Sequence, residues 1–123
     1  FCICNIMKTS LLDSSFILTC AKQKIDFFEF LENEGFQIII PRQVLEEVEK
    51  ISKTKGYAKL ALQILKKNKF KKIDLKTKNV DIGIIKYARK NPEIIVATLD
   101  REIKNRIRNQ KLIIRGKKRL EIV

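Results

Sequence analysis

The chain has no histidine, and its three cysteines, Cys2, Cys4 and Cys20, lack the spacing of metal ligands. A zinc centre is therefore a poor reading, and an odd set of thiols argues against a disulfide framework and for a reducing cytoplasm. No apolar run approaches the roughly 18 residues of a membrane-spanning helix, so no membrane is expected among its partners. Internal repeats and low-complexity linkers are also missing, and 123 residues make one domain around one core. The opening stretch, Phe1 to Ile6, has neither an initiator Met nor the basic n-region of a secretory signal. Met7-Lys8 reads as a natural start, and residues 1–6 as an upstream or non-native extension of a domain spanning 7–123. Acidic residues are the scarce charge: 14 Asp plus Glu stand against 27 Lys plus Arg, a net charge of +13. Such a field attracts polyanions, although charge runs also simply solvate a surface. The informative question is where the few acids fall.

One stretch answers first. Leu11-Leu12 ends an apolar run at Asp13, followed by Ser14 and Ser15, and as a first parallel strand it delivers Asp13 to the carboxyl edge where open α/β sheets bind ligands. A helix over 14–21 and another over 24–34 follow, the second ended by Gly35. Phe36–Ile40 is a buried β-branched strand stopped by Pro41, from which a helix runs to about Lys53. At about 100° per residue, Val44, Leu45, Val48 and Ile51 share one arc of that helix, with Glu47 at its border and Glu46 opposite. Residues 57–67 form a further helix and 72–75 an edge strand, and Lys76-Thr77-Lys78 is a basic loop open to phosphate.

The next helix, Val80 to about Lys90, has Asn79 or Thr77 as its cap. Asp81 falls near the middle of the arc defined by Val80, Ile84, Ile85 and Ala88, whereas an acid that only complemented the helix dipole could face outward. Residues 94–98 are a continuous apolar strand that ends in Leu99-Asp100, repeating the strand-then-acid design of residues 11–13. A basic helix, a strand over 112–114, a basic turn over 115–119 and a terminal strand or tail over 120–123 complete the chain. The alternation predicts a single α/β domain with a mainly parallel sheet of about five strands flanked by helices.

Asp13, Glu47, Asp81 and Asp100 are thereby expected at strand ends or inward helix faces of one small domain. Clustered carboxylates repel one another, and a divalent cation resolves the conflict. Oxygen-only ligands favour a hard ion, Mg²⁺ or Mn²⁺. Acids holding such an ion inside a phosphate-attracting field suit metal-assisted phosphodiester cleavage. Lys104, Arg108 and Lys111, with Lys117, Lys118 and Arg119 of the basic turn, are the candidates for a phosphate-backbone track.

Four segments also carry a resemblance: 11–16, 40–48, Val80-Asp81 with Ala88 seven residues on, and Val96-Ala97-Thr98-Leu99-Asp100 with the basic helix to Arg108. In this order they resemble the PIN-domain ribonucleases, closest to the archaeal VapC-like and small-subunit rRNA-processing branch. The resemblance implies a three-layer fold with strand order 3-2-1-4-5, a Mg²⁺- or Mn²⁺-dependent endoribonuclease, and self-association. It matches Asp13, Glu47, Asp81 and Asp100 to the family acids and Ser14 and Thr98 to supporting hydroxyl positions. A toxin held by an antitoxin protein and a nuclease acting on a pre-ribosome would use the same site. Ile82 stands where that branch often has a second acid, which leaves a weakly active or inactive RNA-binding or ribosome-assembly factor as the alternative.

Overall fold

Strand β1 (Lys8–Leu12) lies in the interior of a six-stranded sheet, as shown by a computed structural model that describes residues 8–123. It is followed by α1 (Ser14–Gln23), α2 (Phe27–Asn33), β2 (Phe36–Pro41), α3 (Arg42–Ser52), α4 (Gly56–Lys67) and β3 (Lys71–Ile73). The second half contributes α5 (Val80–Lys90), β4 (Ile95–Ala97), α6 (Arg101–Arg106), β5 (Lys111–Arg115) and β6 (Arg119–Ile122). The sheet order is β3-β2-β1-β4-β5-β6, with parallel pairing throughout except for β6, which folds back antiparallel on β5. Gly116, at φ 64°, makes that reversal, so the segment expected to be a strand or tail becomes a sixth strand beside the five expected ones.

Helical crossovers cover both faces of the parallel strands, so β1, β2 and β4 bury continuous apolar runs rather than alternating ones. Leu11, Leu12, Ile38, Ile39, Ile40, Ile95, Val96 and Ala97 are all buried. From α1 and α2, Phe16 and Phe27 meet edge to face at 5.8 Å between ring centroids. Helix α2 is shorter than the 24–34 expected because Lys24 takes the left-handed conformation that ends α1, and Asp26 then caps α2 by accepting from Glu29 N. Buried Asn109, between α6 and β5, ties that loop to the end of α5 and the connection into β4, its Nδ2 donating to the carbonyls of Ala88, Asn91 and Ile94.

The arrangement has one functional consequence. The chain leaves β1 toward β2 on one side and later returns to β4 on the other, so the strand order reverses between β1 and β4. Their carboxyl ends therefore border the crevice in which such sheets bind ligands. Among the described residues no helix is long and apolar enough to cross a membrane. Residues 1–7, with the expected extension and with Cys2 and Cys4, lie outside the described residues. Cys20 is a buried free thiol, pushed up to about 12 by that burial.

Candidate active site

Asp13 is the residue immediately past β1, and it caps α1 through Oδ1, which accepts from Ser14 N at 2.8 Å. Its Oδ2 accepts from Thr98 Oγ1 at 2.7 Å and from Ser15 Oγ at 3.1 Å. Asp13 is only 4% exposed, and burial raises its pKa above the ordinary value. The hydrogen bonds from Thr98, Ser14 N and Ser15 pull it back down, and the Glu47 charge raises it again. Both hydroxyls do double duty. Ser15 Oγ accepts from Leu99 N at 3.1 Å, and Thr98 Oγ1 accepts from Asp100 N at 3.1 Å. The Asp13 network thus fixes the turn that presents Asp100, which itself caps α6 by accepting from Glu102 N and Ile103 N.

Glu47 arrives from α3, exposed as its border position predicts, and accepts from Ser14 Oγ at 2.7 Å. Its neighbour Glu46 pairs with Arg42. Asp81 departs in one respect from the helical arc. Ile84, Ile85 and Ala88 are buried, but Asp81 in the first turn of α5 is exposed and lines a cleft with Glu47. Loss of hydration on its inner side raises its pKa, and the charges of Asp100, Asp13, Glu47 and Glu102 raise it further. Asp81 therefore lies within reach of the charge of each of the other three expected acids. Asn79 is the cap, accepting from Ile82 N at 3.1 Å.

The salt bridges among the described residues join Arg42 to Glu46 and Asp74, Arg106 to Glu102, and Arg115 to Glu121. None reaches Asp13, Glu47, Asp81 or Asp100. No three acidic side chains among the described residues come together closely enough to hold an ion unaided. The donor chemistry still fits a hard divalent cation that keeps several waters between itself and the protein: carboxylate oxygens, no imidazole or thiolate, and no neutralising lysine or arginine.

The expected basic track is placed less compactly. Lys104 is half-buried on α6, and Lys111 Nζ donates to Ile107 O. Arg108 shares a cleft with Arg89 and Arg106 beside the last turn of α5, the end remote from Asp81. Lys118 and Arg119 line another cleft with Asp26 and Glu29, while Lys117 is exposed beside them in the turn. None of these residues lines the cleft that Glu47 and Asp81 share. That cleft is lined by Lys78 of the basic loop and by Lys50, which the sequence reading passed over although it lies one turn beyond Glu47 on α3. Ser15 was also passed over as a contributor, because only the fold shows that its hydroxyl joins Asp13 to the β4–α6 turn.

Removing the Ser14 hydroxyl isolates one of these contacts. Ser14→Ala keeps a good helix former in the first turn of α1 but frees Glu47, and a roughly 10-fold fall in kcat/KM for any reaction that uses this carboxylate is expected. Steady-state kinetics beside thermal melts check this, the melting temperature changing little.

A reversed strand order with acids at its crevice, on helix-flanked parallel strands, defines a PIN-type α/β domain. Residues 10–118 match the family model described as a PIN like domain, and the chain belongs to that family. It is 34% identical over 121 residues to Ribonuclease VapC4 of Methanocaldococcus jannaschii, an alignment covering 89% of this chain and 92% of that protein. Among solved structures it is similar to the PIN domain endonuclease Utp24, with 27% identity and a TM-score of 0.77 over 93% of this chain and 90% of that one.

Proposed function

We propose that this protein is a metal-dependent endoribonuclease that hydrolyses RNA phosphodiester bonds with Mg²⁺ or Mn²⁺. What supports the proposal is that Asp13, Glu47 and Asp100 are linked through Ser14 and Thr98, that Asp81 lies within reach of their charge, and that none of the four joins a salt bridge among the described residues. The names of the relatives, a ribonuclease and an endonuclease, support it. Asp13, Asp81 and Asp100 would hold the cation, with Glu47 sharing it. When bound, the ion supplies Lewis acidity and offsets charge on the scissile phosphate.

The remaining work falls to the chain's own groups. Ser15 and Thr98 hold Asp13 Oδ2 in one orientation, and Thr98 fixes the backbone of Asp100. Ser14 occupies Glu47 Oε1, which leaves Oε2 to orient an attacking water and accept its proton. In-line attack leaves a 5′-phosphate and a 3′-hydroxyl. The surrounding +13 charge speeds encounter with RNA. The buried free Cys20 is in keeping with a cytoplasmic site of action. As a toxin the protein would be restrained by an antitoxin, as a maturation enzyme it would meet a pre-ribosome, and in either role it would self-associate.

The test is metal removal. Purified protein with end-labelled RNA is expected to lose cleavage in chelator and regain it with Mn²⁺ or Mg²⁺, giving 5′-phosphorylated fragments. Cleavage indifferent to chelator would overturn the proposal. One observation favours a second reading: Ile82, next to Asp81, is 40% exposed at a position open to a further acid. Metal-independent RNA binding with no turnover would select this reading, an RNA-binding or ribosome-assembly factor on the same fold.

A further inference from the structure

A cleft of about 720 Å³ separates α3 from the loop between β3 and α5, with Gln43, Glu47 and Lys50 on one wall and Thr77, Lys78 and Asp81 on the other. It contains one acid of the candidate site from each wall. The walls are tied together near the start of α3. Gln43 Nε2 donates to Asp74 Oδ1 at 2.7 Å, Gln43 Oε1 accepts from Leu75 N at 3.2 Å, and Arg42 reaches Asp74 Oδ2 at 3.3 Å. Arg42 also pairs with Glu46, so its charge is already engaged on two sides. Lys50 and Lys78 are different: both are exposed, and neither joins a salt bridge among the described residues.

Two ammonium groups on opposing walls, leading to carboxylates, describe a path for phosphates. No aromatic residue lines the cleft, so it offers no stacking platform for bases. Its contacts would be to the backbone, which positions a chain without reading its sequence. The volume is that of a small-molecule pocket, roughly 300 to 1,000 Å³, suited to a short single-stranded stretch rather than a duplex. Of the other basic surfaces, the cleft lined by Lys118 and Arg119 contains none of the four candidate-site acids, and Arg108 lies at the end of α5 remote from Asp81.

We infer that Lys50 and Lys78 grip the phosphate backbone of a single-stranded RNA segment in this cleft and lead it to the carboxylates, a role that rests on the nuclease function proposed above. They are positioning residues, and they act on binding more than on turnover.

The experiment compares Lys50→Ala/Lys78→Ala with Lys66→Ala/Lys90→Ala, a control that removes the same charge from the last turns of α4 and α5. In Mn²⁺, the cleft variant should raise KM for an unstructured RNA about 10-fold with kcat within about 3-fold, and the control should match wild type. In the Asp13→Asn background, anisotropy with the same oligonucleotide should show the log–log salt slope falling by about 1.4 for two lost phosphate contacts. Cleft and control variants with equal KM and salt slope would overturn the inference while wild-type cleavage kept the nuclease reading intact. A perfect duplex bound as tightly as the single strand would overturn the single-strand assignment. Wild-type protein that neither binds nor cuts RNA would overturn both readings, and circular dichroism of each variant excludes misfolding as the cause.

Discussion

Asp13→Asn is expected to lower RNA cleavage at least ~10²–10³-fold while leaving the metal-free protein as stable as wild type or more so. The side chain is nearly isosteric, and Ser15 and Thr98 each retain a lone pair able to accept from an amide. The stability half follows from the sign of the Asp13 shift. Burial raises the folded pKa above 3.8, so between that value and the raised one the native state keeps a proton that the unfolded chain has lost. Metal-free stability therefore falls as pH rises through that window, and at neutral pH the ionised carboxylate is a cost to the fold. Asn removes the ionisation. Thermal melts in chelator from pH 4 to 7 should show a shallower decline for Asp13→Asn, and added Mn²⁺ should stabilise wild type but not the variant. A variant that melts well below wild type in chelator would show that the three hydrogen bonds outweigh the burial of charge. Retained cleavage would remove Asp13 from the site.

How much of this site could be read in advance depended on how local each cause was. Asp13 and Asp100 end apolar strands, a pattern visible within a few residues, and both lie beside the crevice as expected. Glu47 and Asp81 were legible through helical periodicity, which fixes direction around an axis but not where the helix ends relative to the sheet. Hence Asp81, expected on the inward arc, is instead exposed in the first turn of α5. Strand β6 depends on a hairpin whose register, Leu112 opposite Ile122 through Arg115 opposite Arg119, only the antiparallel pairing shows. The Ser15 contact to Leu99 N spans 84 residues, and the cleft across α3 and the β3–α5 loop is formed by segments about 30 apart. Such contacts are products of the fold. Charge alone gave the expected RNA track too many candidates, because 27 basic residues on a small domain mark several surfaces equally well.

Gly83→Ala should separate activity from stability. Gly83 is buried in α5, and a Cβ there would lie 2.6 Å from Thr77 Cγ2 and 3.0 Å from both Leu75 Cβ and Leu75 Cδ1. Those atoms belong to the loop that carries Lys78, so the added methyl must push one wall of the cleft. The Thr77 side chain can turn away, but Leu75 Cβ moves only with its backbone, and that backbone is held by Gln43. Opposing this strain, Ala is favoured over Gly inside a helix by up to ~1 kcal/mol. The two effects are of similar size, so the melting temperature should change by only a few degrees. Cleavage has no such compensation: displacing a substrate wall and the start of α5, where Asp81 sits, should lower kcat/KM about 10–100-fold. Gly56→Ala supplies the comparison, since nothing lies within 4 Å of a Cβ at that position, and it should leave cleavage unchanged. Full activity in Gly83→Ala would mean that the loop yields without disturbing the acids, and the wall would then be a flexible boundary rather than part of the preorganised site.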